Sequence, residues 1–468
     1  MRRLRWPALF LTVVLALGAC GGDDDSGEGG GLGGDDDTTE TTAGDGGTTD
    51  EACEGATLEA VDVGVTPEDI TITVMADTGS PLRPGLFQGS VDTIQAWAEW
   101  VNANGGIACR QVKVNTHDSF LSADEARNGF IAGCESSLAM VGTTALFAND
   151  LEPAESCADS NGAPTGLPDF AVLQTEPAHQ CSPVSFATIP STGECPYTSG
   201  ERTFRERLGV LDYYMEEHGD DLHGVWVIPS DLPSTIASSM PGFRASQELG
   251  IGLDAEFGLS GLSEQSAYTP VAQAIRENES TYARVGLDYV GTVFLRKEAA
   301  AQGVDSVLVW DCSLQCYDRR LIEEGGADVE GQYTWIQFLP FEDGADSNET
   351  LAAYLESVDE PDGFGAQAWG GAEFFRAVVE KIVDEEGPNA ITRQKILETI
   401  PTMGEFDAGG FLAPTDIGNK QGSGCFVLLQ VRNGEFTRVL PEEPGTFHCD
   451  SENAFYEITL DPSTAFRG

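Results

Sequence analysis

Basic residues are scarce in this chain. Lysines and arginines number 25 against 77 aspartates and glutamates, and there are five histidines in 468 residues. The formal net charge of −52 excludes nucleic acid and an anionic membrane surface as partners, since both would repel it. It favours a soluble monomer at high salt; a saline habitat is compatible with that charge but does not follow from it. Long hydrophobic runs are missing as well. Leu9 to Leu17 is mostly apolar but is broken at Thr12, and a bilayer span takes about 20 apolar residues. Catalytic signatures are also lacking: there is no Gly-x-Ser-x-Gly elbow and no His-Glu-x-x-His motif. His117 and Asp118 are sequence neighbours, so their side chains diverge on a strand; His117 reads as structural. No enzyme, cofactor or metal site is expected.

What is present begins with a basic start, Met1-Arg2-Arg3-Leu4-Arg5, followed by the short apolar run. Leu17-Gly18-Ala19-Cys20 closes it and resembles a bacterial lipobox, in which the cysteine is acylated after cleavage. Residues 1–20 are therefore expected to be a lipoprotein signal peptide, and Cys20 an anchor on the outer face of the cytoplasmic membrane. Residues 21–65, Gly-, Asp- and Thr-rich, cannot bury enough surface to order themselves and are expected to be a disordered tether. Setting Cys20 aside leaves ten cysteines, which in an exported chain imply up to five disulfides. Connectivity does not follow from sequence. Pairing near neighbours joins Cys109 to Cys134, Cys157 to Cys181, Cys312 to Cys316 and Cys425 to Cys449. The rival reading of Cys312 and Cys316 as metal ligands lacks the two-residue gap and a nearby histidine.

From Asp69 the pattern alternates. "ITITVMA" reads as a buried strand, and Val91, Ile94, Trp97 and Val101 lie on one helical face ending at Gly105-Gly106. "VKVNT", "LAMVG", "PDFAVLQ", "GVWVIP", "YARVGL" and "DSVLVW" read as strands between helical segments. "GERTFRERLGVLDYYMEEHG" reads as one amphipathic helix over 200–219. "CFVLLQVRNGEFTRVL" is a hairpin turning at Asn433-Gly434. The alternation implies an α/β protein with parallel sheets, and the strand count implies two lobes.

These segments, together with "ITITVMADTGSPLRPGLFQG", "WVNANGGI", "VKVNTHDS", "LQTEP" and "FDAGGFLAPTD", resemble extracytoplasmic type I solute-binding proteins of ABC transporters, specifically the leucine/isoleucine/valine-binding receptors of actinobacterial lipoprotein type. The resemblance implies a two-lobed Venus-flytrap, each lobe a mostly parallel sheet flanked by helices, with three crossovers near Ile189, Phe338 and Leu412. Lobe I is then 66–190 plus 339–412, lobe II 191–338 plus 413–450, and 451–468 a C-terminal tail. The implied function is capture of a small solute, most directly a branched-chain or related amino acid, and its delivery to an ABC permease. The alternative is a ligand-sensing receptor on the same fold that binds an amide or aromatic acid.

Ligands in such sheets sit outside the carboxyl ends of the strands. Thr143, Thr144, Gln174 and Thr175 follow strands at that edge and would meet a carboxylate, or the threonines serve only as helix caps. The family often has a serine where this chain has Ala145-Leu146-Phe147, a departure that bears on the carboxylate contact. Asp288 and Asp311 follow lobe II strands and would meet an ammonium, or cap helices. Tyr289 would wall the pocket, Ser80 would face the cleft, and Arg83 would meet a ligand acid or a neighbouring carboxylate. Trp310 and Trp369 would border the cleft.

Overall fold

A strand covered on both faces carries an unbroken apolar run, and β1 (Asp69–Ala76) is such a strand, buried almost throughout. It lies second in a parallel five-stranded sheet with β2 (Gln111–Asp118), β3 (Ala139–Thr143), β4 (Asp169–Leu173) and β5 (Ser185–Ile189), in the order β2-β1-β3-β4-β5. The computed structural model describes Cys53 and residues 55–79, 84–197, 199–219, 221–230 and 233–466. The expected signal peptide, Cys20, most of the expected tether, Ser80 and Arg83 lie outside these residues. Among the described residues no helix is long and apolar enough to cross a membrane.

α1 (Gln88–Ala103), α2 (Ala123–Ser136), α3 (Glu152–Glu155) and α4 (Pro177–Cys181) follow β1 to β4 in turn. The apolar stripe of α1 is the one its spacing predicts: Val91, Ile94, Trp97 and Val101 are buried, and Gly105 and Gly106 end it at positive φ. α2 starts at Ser122, whose hydroxyl accepts from the Glu125 N–H, with Asp124 and Glu125 against the positive end of the helix dipole. The last stretch of the expected tether is not free. Cys53 is bonded to Cys109, and the buried Arg110 donates through Nη2 to the Glu59 carbonyl and through Nε to the Thr66 carbonyl. Asp62, also buried, accepts from the Arg393 N–H at 2.8 Å.

The second lobe opens with a correction. Residues 200–219 are not one helix but a strand, β6 (Arg202–Glu206), followed by α5 (Gly209–His218). The burial of β6 alternates, with Arg202, Phe204 and Glu206 inside and Arg205 exposed, a two-residue period hidden among charges. α6 (Pro233–Glu248), α7 (Thr269–Asn278) and α8 (Tyr289–Ala301) separate the parallel strands β7 (His223–Pro229), β8 (Gly252–Leu259), β9 (Tyr282–Val285) and β10 (Val309–Asp311), ordered β10-β9-β7-β8. After α9 (Arg319–Gly325), β11 (Tyr333–Ile336) leads back toward the first sheet. α10 (Glu349–Ser357), α11 (Gly363–Glu386) and α12 (Arg393–Thr399) follow. α11 packs in the first core: Phe375 meets Phe170 edge-on at 5.3 Å, and Glu373 accepts from the Trp97 indole at 2.6 Å. β12 (Val427–Arg432) and β13 (Glu435–Leu440) then form the expected hairpin beside β11, with Asn433 and Gly434 both at positive φ. The outgoing and returning passes bridge at Phe338 and Leu412.

Two of the near-neighbour disulfides form, Cys312–Cys316 and Cys425–Cys449. The other guesses are overturned: Cys134 joins Cys157 and Cys181 joins Cys195, while Cys109 takes Cys53. Cys53 belongs to the assumed tether, so leaving it out shifted each neighbouring pair by one. The tail expected over 451–468 carries β14 (Tyr456–Leu460), the antiparallel partner of β6, with Ile458 opposite Phe204. Arg244 Nε donates to the Ala465 carbonyl at 3.0 Å. Removing residues 451–468 is expected to cost about 2–4 kcal/mol of stability, through lost burial of Ile458 and Ala465 and the lost pairing of β6. Denaturant unfolding measures this; an unchanged midpoint would show that β6 holds without β14.

Candidate ligand-binding cavity

The loops after β1, β2 and β3 are drawn together by one carboxylate. Asp77, fully buried, accepts through Oδ1 from the Ser119 hydroxyl and the Leu121 N–H, both at 2.7 Å, and through Oδ2 from the Leu146 N–H at 2.8 Å. The Thr175 hydroxyl adds the loop after β4 by donating to the Leu146 carbonyl at 2.6 Å. Leu121, Leu146 and Thr175 thereby form one wall of a cavity of about 820 Å³. The facing wall comes from the ends of the second sheet: Pro229 closes β7, and Arg284 to Tyr289 follow through from β9. Both sheets thus present their carboxyl edges to the same space.

Helix N-termini converge on that space, and each has its own aspartate. Asp288 caps α8, Asp318 caps α9 and Asp362 caps α11, accepting from the N–H of Gly291, Arg320 and Gly365 respectively. All three line the cavity. α1 has no side-chain cap, but Asp362 lies against its first turn: a Cβ on Gly89 would fall 1.8 Å from Asp362 Oδ2. The partial positive charge these helix ends offer an anion is therefore already met by aspartate. Arg320 closes the group with a 2.6 Å ion pair to Asp318 and stacks 4.7 Å over the Tyr289 ring.

Near the interlobe passes the charge is reversed. Arg202, Arg207, Arg284 and Glu206 line the cavity there. Arg284 pairs with the buried Asp311 at 3.2 Å. Arg202, 6 % exposed, donates to the carbonyls of Gly193 and Glu194 and to Gln180 Oε1. Among the described residues Arg207 has no ion-pair partner; it donates to Gln337 Oε1 at 3.1 Å and the Pro190 carbonyl at 3.4 Å. Burial lowers its pKa from the usual arginine value, and burial raises that of Glu206, tempered by the Thr192 hydroxyl. The indole Nε1 of Trp335 and Oε1 of Gln367, both on cavity residues, have no hydrogen-bond partner among the described residues.

Of the residues expected from sequence, the cavity brings together Gln174, Thr175, Asp288 and Tyr289. It leaves out three. Thr143 is buried behind the wall, donating to Asp169 at 2.6 Å, and Thr144 is equally buried. Asp311 lies in the second core, accepting from the Tyr282 and Tyr214 hydroxyls at 2.6 and 3.0 Å. Ser80 and Arg83 lie outside the described residues. Trp369 packs against Trp100 in the first core, and Trp310 lies beneath Arg296; neither borders the cavity. Sequence reasoning missed Arg202, Glu206 and Arg207, because the helix assigned to 200–219 put its charges on a solvent face. The available signal was the alternation of "RTFRE".

A family model described as periplasmic binding protein matches residues 69–435. Among curated protein sequences none matches. The fold is shared with solved structures. A substrate-binding protein of an ABC transporter from Aeropyrum pernix superposes with a TM-score of 0.65 at 14% identity, covering 85% of this chain and 98% of that one. A branched-chain amino acid ABC transporter protein from Thermus thermophilus with bound valine gives 0.63 at 14%, covering 81% and 96%. A fatty acid ABC transporter substrate-binding protein from Thermomonospora curvata gives 0.60 at 15%, covering 81% and 92%.

Burial raises the pKa of Asp77, Glu176, Glu206, Asp362 and Glu373 from the ordinary carboxylate value. A raised folded pKa means that the native state binds protons more readily than the unfolded chain. Stability from these groups is thus full below the unfolded value near 4 and is lost as pH rises through the folded values. Relief of the −52 net charge acts in the same direction. The thermal midpoint is expected to rise by a few degrees as pH falls from neutral toward about 5. Scanning calorimetry across that window tests the sign, and a falling midpoint contradicts it.

Proposed function

We propose a function from one premise: this chain belongs to the periplasmic binding protein family, whose model it matches over residues 69–435. Within that family it is read as the extracytoplasmic binding component of an ABC importer. It captures a small solute between its lobes and hands it to a permease, without chemical turnover. The observation that carries this reading is the cavity itself. It lies at the carboxyl ends of two parallel sheets, between lobes joined by several passes of the chain, an arrangement that closes by rotation about those passes.

The ligand class inferred first is a branched-chain or related amino acid, in line with the valine-bound structure from Thermus thermophilus. The fold alone does not select it, since the Thermomonospora curvata protein of the same fold is named for fatty acid. The volume of about 820 Å³ falls within the ~300–1,000 Å³ range of pockets for drug-sized ligands and leaves room for larger solutes, amides and aromatic acids included. Gln174, Thr175, Asp288 and Tyr289 are the sequence-derived residues retained as contacts. Thr143, Thr144 and Asp311 act behind the wall as supports.

Thermal unfolding of the mature protein against leucine, isoleucine, valine, aromatic acids and amides tests the binding role. A ligand at 100 times its dissociation constant is expected to add about 2.7 kcal/mol. No shift with any solute, and no co-purified solute by native mass spectrometry, would remove the reading.

The anchor at Cys20 belongs to the same proposal and holds the protein on the outer face of the cytoplasmic membrane. Cys20→Ser is expected to move it from the membrane fraction to the soluble fraction. Unchanged fractionation would overturn the anchor.

A further inference from the structure

The cavity's charges are divided between two groups. At the capped helix ends, three aspartates face one arginine, Arg320. Near the interlobe passes three guanidiniums, Arg202, Arg207 and Arg284, face Glu206 and the buried Asp311. Four arginines on one cavity are a notable share of 25 basic residues in a chain of net charge −52. Arg284 is met by Asp311, and Arg202 is held by two carbonyls and a glutamine oxygen. Arg207 differs. Its five N–H donors meet two neutral acceptors, and none of its ion-pair distances is filled among the described residues. Glu206 offsets part of its charge without forming an ion pair, and the remaining cost of its desolvation is what an anionic ligand recovers on binding.

A second, independent observation lies beside it. Arg207 and Trp335 also line a recess of about 10 Å³ opening by Gln337 and Cys425, about one water in size. The Trp335 indole N–H is buried and has no partner among the described residues. Arg207 and Trp335 also line the large cavity, so a guanidinium and an N–H donor are both available on its wall to a carboxylate. The helix N-termini do not compete for it, since Asp288, Asp318 and Asp362 already occupy them. Between the two charge groups Phe87, Leu173, Phe243, Leu287, Ile336 and Phe364 add apolar surface to the lining.

We propose that Arg207 and the Trp335 N–H form the anion anchor of this cavity, and that its solute is an amphiphilic monocarboxylate with an apolar body larger than that of a branched-chain amino acid. The proposal rests on the solute-binding reading above. It also ties the ligand to the hinge. Arg207 bonds Pro190 just after β5 and Gln337 just after β11, and it lies against Gly422 just before β12, where an added Cβ would sit 2.8 Å from Nη1. An anion paired with Arg207 is thereby linked through that side chain to Pro190 and Gln337.

Calorimetric titration of the mature protein with octanoate, phenylacetate, octanamide, phenylacetamide, leucine and glucose tests it. Each acid is expected to bind at least about tenfold tighter than its amide, the scale of a charged hydrogen bond. Trp335→Phe keeps the ring and removes the donor. It is expected to weaken the acids several-fold and leave amide binding unchanged. Arg207→Gln is expected to abolish the preference for acid, and Arg207→Lys to restore part of it. If Arg207→Gln does not fold, the acid–amide ratio of the unaltered protein and the Trp335→Phe titration decide. Amides binding as tightly as acids, or leucine or glucose binding while both acids fail, would overturn the anchor and leave the solute-binding reading standing. No binding of any probe, with no co-purified solute, would remove both.

Discussion

Asp77 has no water to turn to, and the mouth of the first lobe is organised around that fact. Taking a carboxylate out of water costs several kcal/mol unless its oxygens are met by donors. The three donors come from two separate segments: the Ser119 hydroxyl and the Leu121 N–H after β2, and the Leu146 N–H after β3. The loops after β2 and β3 are therefore brought to the end of β1, and Thr175 carries the restraint to the loop after β4. Without that convergence the sheet would end in independent loops, and the cavity would have no continuous wall.

The same accounting governs the arginines. Arg110 is buried with all of its guanidinium nitrogens bonded, to the carbonyls of Thr66, Ala108, Pro388 and Glu59 and to Asn389 Oδ1. Arg393, also buried, gathers Ala158, Cys134 and Ser137. In both, one planar fork satisfies carbonyls from segments distant in sequence, which an ammonium on a flexible stem does less well. The cations are few in this chain, and these are spent where segments cross. Arg207 follows the same rule at the interlobe passes, except that its acceptors are incomplete. That incompleteness, with the polarity of the two charge groups, gives the cavity a direction along which a ligand can be oriented.

Much of the architecture was legible in the chain. The β-branched run of β1, the 3.6-residue stripe of α1 and the Asn-Gly turn of the β12–β13 hairpin each depend on neighbours close in sequence, so local pattern is enough to find them. β6 was not legible, since its partner β14 is supplied by a segment some 250 residues later. Read without that partner, "RTFRE" merges into the helix that follows it. The two overturned disulfide pairings failed for a related reason: Cys53 belongs with Cys109 only because the first lobe folds Cys53 back to the residues that precede β2. Asp311 follows a strand as a cleft residue should, yet Tyr214 and Tyr282 turn it into the core.

Composition and local periodicity by themselves pointed to the α/β class and to two parallel sheets, because each depends on residue type or on spacing within one element. Which side chains meet in the cavity was decided by tertiary structure alone. Arg207, Trp335, Asp288 and Asp362 come from four separate elements, and only the packing of those elements determines which donors are satisfied within the protein and which remain for a ligand.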